Sequence, residues 1–147
     1  MPLDPIESPG FLLWHATLRW QRAIAAALKP LGLTHVQFVL LTCTWWLTKQ
    51  GPRPNQADVA AQAGTDVKMT SQVVRSLERK GLLEREVDPA DSRARRLRPT
   101  RRGAALAPRA VAVVERVDSE FFAGIPPQQA LQLLSRLARI PETMSEP

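Results

Sequence analysis

Residues 64–102, GTDVKMTSQVVRSLERKGLLEREVDPADSRARRLRPTRR, constrain what the chain can become more than any other stretch. A polar, basic, helix-compatible segment is stopped at Lys80-Gly81. Two short apolar-containing runs then flank a Pro/Asp turn, and a burst of arginine follows. The window holds eleven Lys or Arg against six Asp or Glu, a net of +5, while the whole chain is only +6. Charge concentrated in this way suggests a polyanionic partner. The helix-then-hairpin order suggests one gripped in two places. A sequence pI near 10.7 favours nucleic acid over an acidic small substrate.

At 147 residues the chain is most simply one domain, with an ordinary 44% hydrophobic and 23% charged content. Its one cysteine excludes an intramolecular disulfide and fits a reducing compartment, so a cytoplasmic protein is expected. The opening MPLDPIESPG is acidic and broken by proline, unlike a signal peptide. The apolar run over residues 11–28 contains His15, Arg19 and Arg22, a poor membrane span.

Residues 1–9 read as a flexible arm and 11–28 as the first helix. That helix carries apolar stripes on two sides, Phe11, Trp14, Leu18, Ala25 and Leu28 on one and Leu13, Trp20, Ile24 and Ala27 on the other, so it must be covered on both. Pro30 and Gly32 end it. Thr34 with Gln37 forms a capping box for a nearly all-apolar second helix reaching about Lys49, expected at the centre of the core. Gly51-Pro52-Arg53-Pro54 is a turn with room for a very short strand at most. Asn55 caps a short third helix, with Asp58 near its positive end. Gly64 ends that helix, and Thr65 or Asp66 starts a fourth after only a tight turn, which is a helix-turn-helix pattern.

In the fourth helix Val67, Thr70, Val74 and Leu77 form an inward stripe. Lys68, Gln72, Arg75 and Arg79 share the other face, with Ser71 beside them. Such a face is either simply solvated or suited to a major groove, where Arg and Gln can each contact a base edge through two hydrogen bonds. The sequel favours the groove. Residues 82–87 and 95–98 can pair as a hairpin around Asp88-Pro89-Ala90-Asp91-Ser92-Arg93, where Asp91 can accept local backbone hydrogen bonds. Arg93, Arg95, Arg96, Arg98, Arg101 and Arg102 fall within ten residues, a hairpin suited to phosphates or a narrow minor groove.

The chain resembles the MarR family of winged-helix transcriptional regulators from about Phe11 to Leu137. The matching residues are Gly32-Leu33-Thr34 with Gln37, Leu77-Glu78-Arg79-Lys80-Gly81-Leu82, the Asp88-to-Arg93 turn, Leu97, Thr100 and Gly103. The resemblance implies a mainly α fold with a small β-hairpin wing. Residues 34–103 would be the DNA-binding lobe, and residues 1–33 and 104–147 would supply the dimerisation helices. It further implies a homodimer on a pseudo-palindromic operator in double-stranded DNA, more a repressor than an activator, with Asp91 positioning the wing and Arg93 touching DNA. Two residues depart from the pattern. Pro99 stands where the family usually has leucine, so the second wing strand is expected to end early. Pro108 falls inside the fifth helix, residues 101–122, where a kink or a break is expected.

No catalytic grouping is present, and one Cys with two distant His makes no zinc site, so neither enzyme activity, metal nor cofactor is expected. His15 reads as a core or interface residue, and His35, in a first helical turn, as packing or simply exposed surface. Cys43, mid-helix among Leu41, Thr42, Trp45 and Trp46, reads as packing and not as a redox sensor. The four tryptophans admit two readings. Many members of the resembled family bind small aromatic or phenolic effectors, and Trp14, His15, Arg22 and Trp46 can supply such a site. Plain core and interface packing of the indoles is the simpler alternative. The rival to DNA binding as a whole is a winged-helix module for protein contacts, its arginines serving solubility.

Overall fold

The computed structural model describes residues 4–140. Its elements run α1 (Pro9–Leu28), α2 (His35–Gln50), α3 (Gln56–Ala63), α4 (Val67–Arg79), β1 (Leu83–Asp88), β2 (Asp91–Pro99), α5 (Arg101–Phe121) and α6 (Pro127–Ala138), with single 3-10 turns at Pro5–Glu7 and Lys29–Leu31. The fold is a winged helix-turn-helix flanked by terminal helices, the class expected.

Helix α1 begins two residues before the expected start. Ser8 accepts from Phe11 N at 3.3 Å and Pro9 takes the first helical position, where its missing N–H costs nothing. Residues 4–8 of the expected arm therefore carry a turn and a cap, while residues 1–3 lie outside the described residues. Helix α2 is central, packed against α1, α3, α4, α5 and β2. Leu40 and Leu41 are fully buried, each worth about 1.5–3 kcal/mol of burial. Its threonines remain tolerable because each hydroxyl donates back along the helix, Thr44 to Leu40 O and Thr48 to Thr44 O, both at 2.7 Å.

The Thr34–Gln37 capping box forms, and it does more than cap. Buried Gln37 accepts from Thr34 N at 3.1 Å and from Lys80 Nζ at 2.8 Å, and donates to Ser76 Oγ at 3.1 Å. Lys80 Nζ also donates to Gly32 O at 2.5 Å. The start of α2 is thereby fastened to the end of α4.

Of the expectations at the two prolines, an early end of the second strand and a break of the fifth helix do not occur. β2 runs to Pro99, which pairs opposite Leu83. A proline is tolerated there because it is the terminal residue of a two-stranded sheet. Helix α5 is continuous through Pro108. Pro108 and Ala104, whose carbonyl loses its partner, are both exposed, so water can replace the missing bond. Gly103 lets α5 approach the wing base closely: a Cβ there would lie 2.0 Å from Leu82 O. Thr100 caps α5 and also donates to Gly81 O at 2.6 Å.

Candidate nucleic-acid interface

Helices α3 and α4 are set by their ends. The Asn55 and Asp58 side chains each accept from the other's backbone N–H, at 2.8 and 2.9 Å. Gly64 leaves α3 with φ +72°, a conformation that disfavours other residues. Asp66, not Thr65, caps α4, accepting from Met69 N at 2.7 Å. Thr65 instead holds the Thr70 hydroxyl at 2.7 Å. Thr70, Val73, Val74 and Leu77 are buried. Lys68, Gln72, Arg75 and Arg79 lie exposed on the opposite face, and Ser71 is half-buried at its flank. Val67 departs from the expected inward stripe. It is 81% exposed, because in the first turn no neighbouring element reaches over it, and Val73 takes the inward place.

The wing follows α4 after Lys80-Gly81-Leu82. Its strands pair Glu84 with Arg98, Arg85 with Leu97, Glu86 with Arg96 and Val87 with Arg95. The first strand is as long as expected, shifted by one residue, the second is longer, and they close at Pro89-Ala90, with residues 92–94 bulging between the Val87–Arg95 and Asp88–Asp91 pairings. Asp91 accepts from Arg93 N at 3.0 Å, while Asp88 accepts from Ala90 N at 2.9 Å. Arg96 Nε sits 3.3 Å from Asp88 Oδ1, as a charge contact without a directed hydrogen bond. The Ala90 N–H and the Arg96 guanidinium hold the Asp88 carboxyl below the usual carboxylate range. Asp88 therefore organises the tip together with Asp91. The aspartate–proline start of the turn was the signal for it.

Several cations counted in the sequence window are engaged in the fold. Arg85 pairs with Glu78 at 2.7 Å, Arg98 with Glu84 at 2.8 Å and Glu86 at 3.3 Å, and Arg102 donates to Lys80 O at 3.0 Å. Arg53 reaches Glu86 from the proline turn, and Leu97 N donates to Pro54 O at 2.8 Å. Where a very short strand was allowed at most, a single bridge between Asn55 and Arg96, just after the proline turn, anchors the wing base. Lys68, Arg75, Arg79, Arg93 and Arg95 remain exposed. Arg96 is half-buried beside its aspartate.

The four residues expected around an effector are spread over two helices of the chain. Trp14, His15 and Arg22 are exposed on α1, the His15 ring standing edge-on to Phe11 at 4.5 Å, and Trp46 is half-buried on α2. None lines the cavity of ≈ 380 Å³ among α1, α5 and α6, which is bordered by Trp20, Phe121, Phe122, Thr17, Leu134 and Asp118 among others. Trp20 Nε1 donates to Asp118 Oδ1 at 2.8 Å, and its ring meets His35 at 5.0 Å. His35 is half-buried and not surface. Burial lowers its pKa, opposed by the Asp118 charge. Trp20 and Asp118 are 98 residues apart, and no local sequence signal joins them. Burial pushes the Cys43 thiol up to about 11, so it stays protonated at neutral pH. Among the described residues no three His, Cys, Asp or Glu are grouped to hold a metal, and no single helix is long and apolar enough to cross a membrane.

A model of the MarR family matches residues 33–94. The uncharacterized HTH-type transcriptional regulator YdcH of Bacillus subtilis strain 168 is 44% identical over 119 residues, 81% of each chain. The HTH-type transcriptional repressor Rv2887 of Mycobacterium tuberculosis H37Rv is 35% identical over 121 residues, 82% of this chain and 84% of that one. The crystal structure of CouR from Rhodococcus jostii RHA1, bound to p-coumaroyl-CoA, is similar at a TM-score of 0.80 and 28% identity over 95% of both chains.

Proposed function

Because the chain belongs to the MarR family of non-enzymatic, DNA-binding transcriptional regulators, we propose that it is a homodimeric repressor of a pseudo-palindromic operator, released by a small aromatic ligand. The observation that carries the DNA reading is the face of α4. Lys68, Gln72, Arg75 and Arg79 stand exposed opposite a buried stripe, on the second helix of a helix-turn-helix that leads directly into the wing. In the major groove those side chains and Ser71 read bases and neighbouring phosphates. Arg93 and Arg95 bring positive charge to the adjacent minor groove, Asp91 shapes the tip, and Arg96 acts from its place beside Asp88.

A second copy is the occupant that best fits the terminal helices. Phe11, Leu12, Leu13 and Trp14 of α1 are 45–63% exposed, and Leu131, Leu133, Leu134 and Leu137 of α6 are 40–60% exposed. No residue of α6 is buried. So much apolar surface on one subunit marks a partner face. On this reading residues 1–33 and 104–147 join the subunits and residues 34–103 hold DNA.

For the effector, the cavity beside Trp20 is better supported than the dispersed Trp14, His15, Arg22 and Trp46. It is already formed, and its volume of ≈ 380 Å³ lies in the range of small-molecule sites. Its charged wall is Asp118, which suits a phenol whose hydroxyl donates, more than an aromatic carboxylate.

Selection of bound duplexes from a random pool, followed by gel shift on the DNA beside the protein's own gene, tests the proposal. Enrichment of an imperfect palindrome with half-sites about one helical turn apart is expected. Absence of any enriched sequence would leave the protein-interaction module as the reading.

A further inference from the structure

The exposed apolar residues fall into separate groups. One is the subunit face of α1 and α6. Val67, 81% exposed, belongs to another: it is the most exposed large hydrophobic among the described residues and sits at the first position of α4, beside Lys68 and four residues before Ser71. Nothing in the fold requires a valine there. The inward face of α4 is filled by Thr70, Val73, Val74 and Leu77, and the cap is supplied by Asp66. A β-branched side chain loses rotamer freedom in a helix and adds nothing to its propensity. It stands at the edge of the buried stripe, with Ser71, one turn on, and Lys68, next in the chain, among the polar side chains assigned above to the major groove. In helix-turn-helix proteins the N-terminal residues of the second helix are the ones that contact base edges.

We infer that Val67 is a specificity-determining residue that packs on the 5-methyl group of a thymine in each half-site. The inference rests on the DNA-binding reading above. In the major groove the thymine methyl is the apolar feature that distinguishes T·A from the other pairs, and an aliphatic side chain is what recognises it. Ser71, one turn on, and Lys68, next in the chain, would fix the register through polar contacts, leaving Val67 to exclude water from the methyl.

The test uses the full-length dimer and the operator it selects. Thymines are replaced symmetrically, one pair at a time, by deoxyuridine, which removes only the methyl. One pair of positions should weaken wild-type binding by about fourfold per half-site, the effect of one buried methyl-sized group. Val67→Ala should weaken binding to the thymine operator to a similar extent and show no further loss on the uracil form. Val67→Ile should keep the sensitivity, and circular dichroism should show both variants folded, since the position is exposed. The inference is overturned if no thymine is methyl-sensitive in wild type, or if Val67→Ala stays equally sensitive. Either of those results with tight, selective binding sinks this inference alone. Failure to select any operator sinks the DNA reading and this inference together.

Discussion

Replacing Gly103 by alanine sets two effects of opposite sign against each other. In a helix interior alanine is favoured over glycine by roughly 0.5–1 kcal/mol, because glycine loses more backbone freedom on folding. At Gly103, however, a Cβ would stand 2.0 Å from Leu82 O and 3.0 Å from Leu82 C. A carbon–oxygen contact normally needs about 3.3 Å. The obstacle is main chain, so it cannot rotate away. Leu82 O also accepts from Thr100 N at 3.0 Å, and Thr100 Oγ1 holds Gly81 O at 2.6 Å. Relieving the clash therefore separates α5 from the wing base and strains both bonds. Overpacking of this kind costs about 1–3 kcal/mol, and each loosened hydrogen bond adds about 1 kcal/mol. The unfavourable terms win, and Gly103→Ala should lose about 1–3 kcal/mol net. Urea unfolding at fixed protein concentration reads the loss. Operator binding should weaken as well, because the wing is rooted at this junction. Equal or greater stability with unchanged DNA binding would show that α5 and Leu82 do not approach this closely.

Other expectations concern assembly and titration. Removing residues 128–147 should give monomeric or insoluble protein without operator binding, and a soluble monomer that still binds operator would defeat the dimer reading. Cys43→Ser should leave binding and its response to peroxide unchanged, since a thiol raised to about 11 is not a reactive thiolate at neutral pH; loss of a peroxide response would show the thiol is accessible. Because burial depresses the His35 pKa in the folded state, the unfolded chain takes up that proton first. Stability should be full above the ordinary 6.5 and decline as pH falls from there through the lower folded value. His35→Gln should flatten this part of a pH–stability profile, and an unchanged slope would refute the assignment.

What could be read from the sequence was mostly local. The Thr34–Gln37 box, the Asn55 cap, the Gly64 turn and the Lys80-Gly81 stop each consist of neighbouring residues whose chemistry has one common use, and each stands in the structure. Periodicity placed Thr70, Val74 and Leu77 correctly but failed at Val67, because it reports which way a residue points and not whether another element reaches it. Pro99 was expected to end its strand early and Pro108 to kink or break its helix, by a rule that assumes the missing hydrogen bond is needed; Pro99 is the last paired residue of β2, and Pro108 faces water in an unbroken helix. Tertiary pairings such as Trp20 with Asp118, or Gln37 with Lys80 and Ser76, leave no spacing signal at all. Of the tryptophans, Trp20 and not Trp14 or Trp46 borders the cavity among α1, α5 and α6, and aromatic content along α1 does not say which indole does so. Charge was overcounted for the same reason: Arg85, Arg98 and Arg102 serve the fold.

On the proposed reading DNA recognition divides between α4, which would read bases, and the wing tip, which would hold backbone charge. A salt titration of binding for wild type, Arg75→Ala and Arg93→Ala, on the selected operator and on scrambled DNA, separates the two roles. Arg75→Ala should cost roughly 1–3 kcal/mol per half-site on the operator and much less on scrambled DNA. Arg93→Ala should weaken both and reduce the log–log salt slope by roughly one for each phosphate that the arginine no longer neutralises. Equal losses on both DNAs for Arg75→Ala, with neither affinity nor slope altered by Arg93→Ala, would contradict the docking of helix and wing even in a protein that binds DNA.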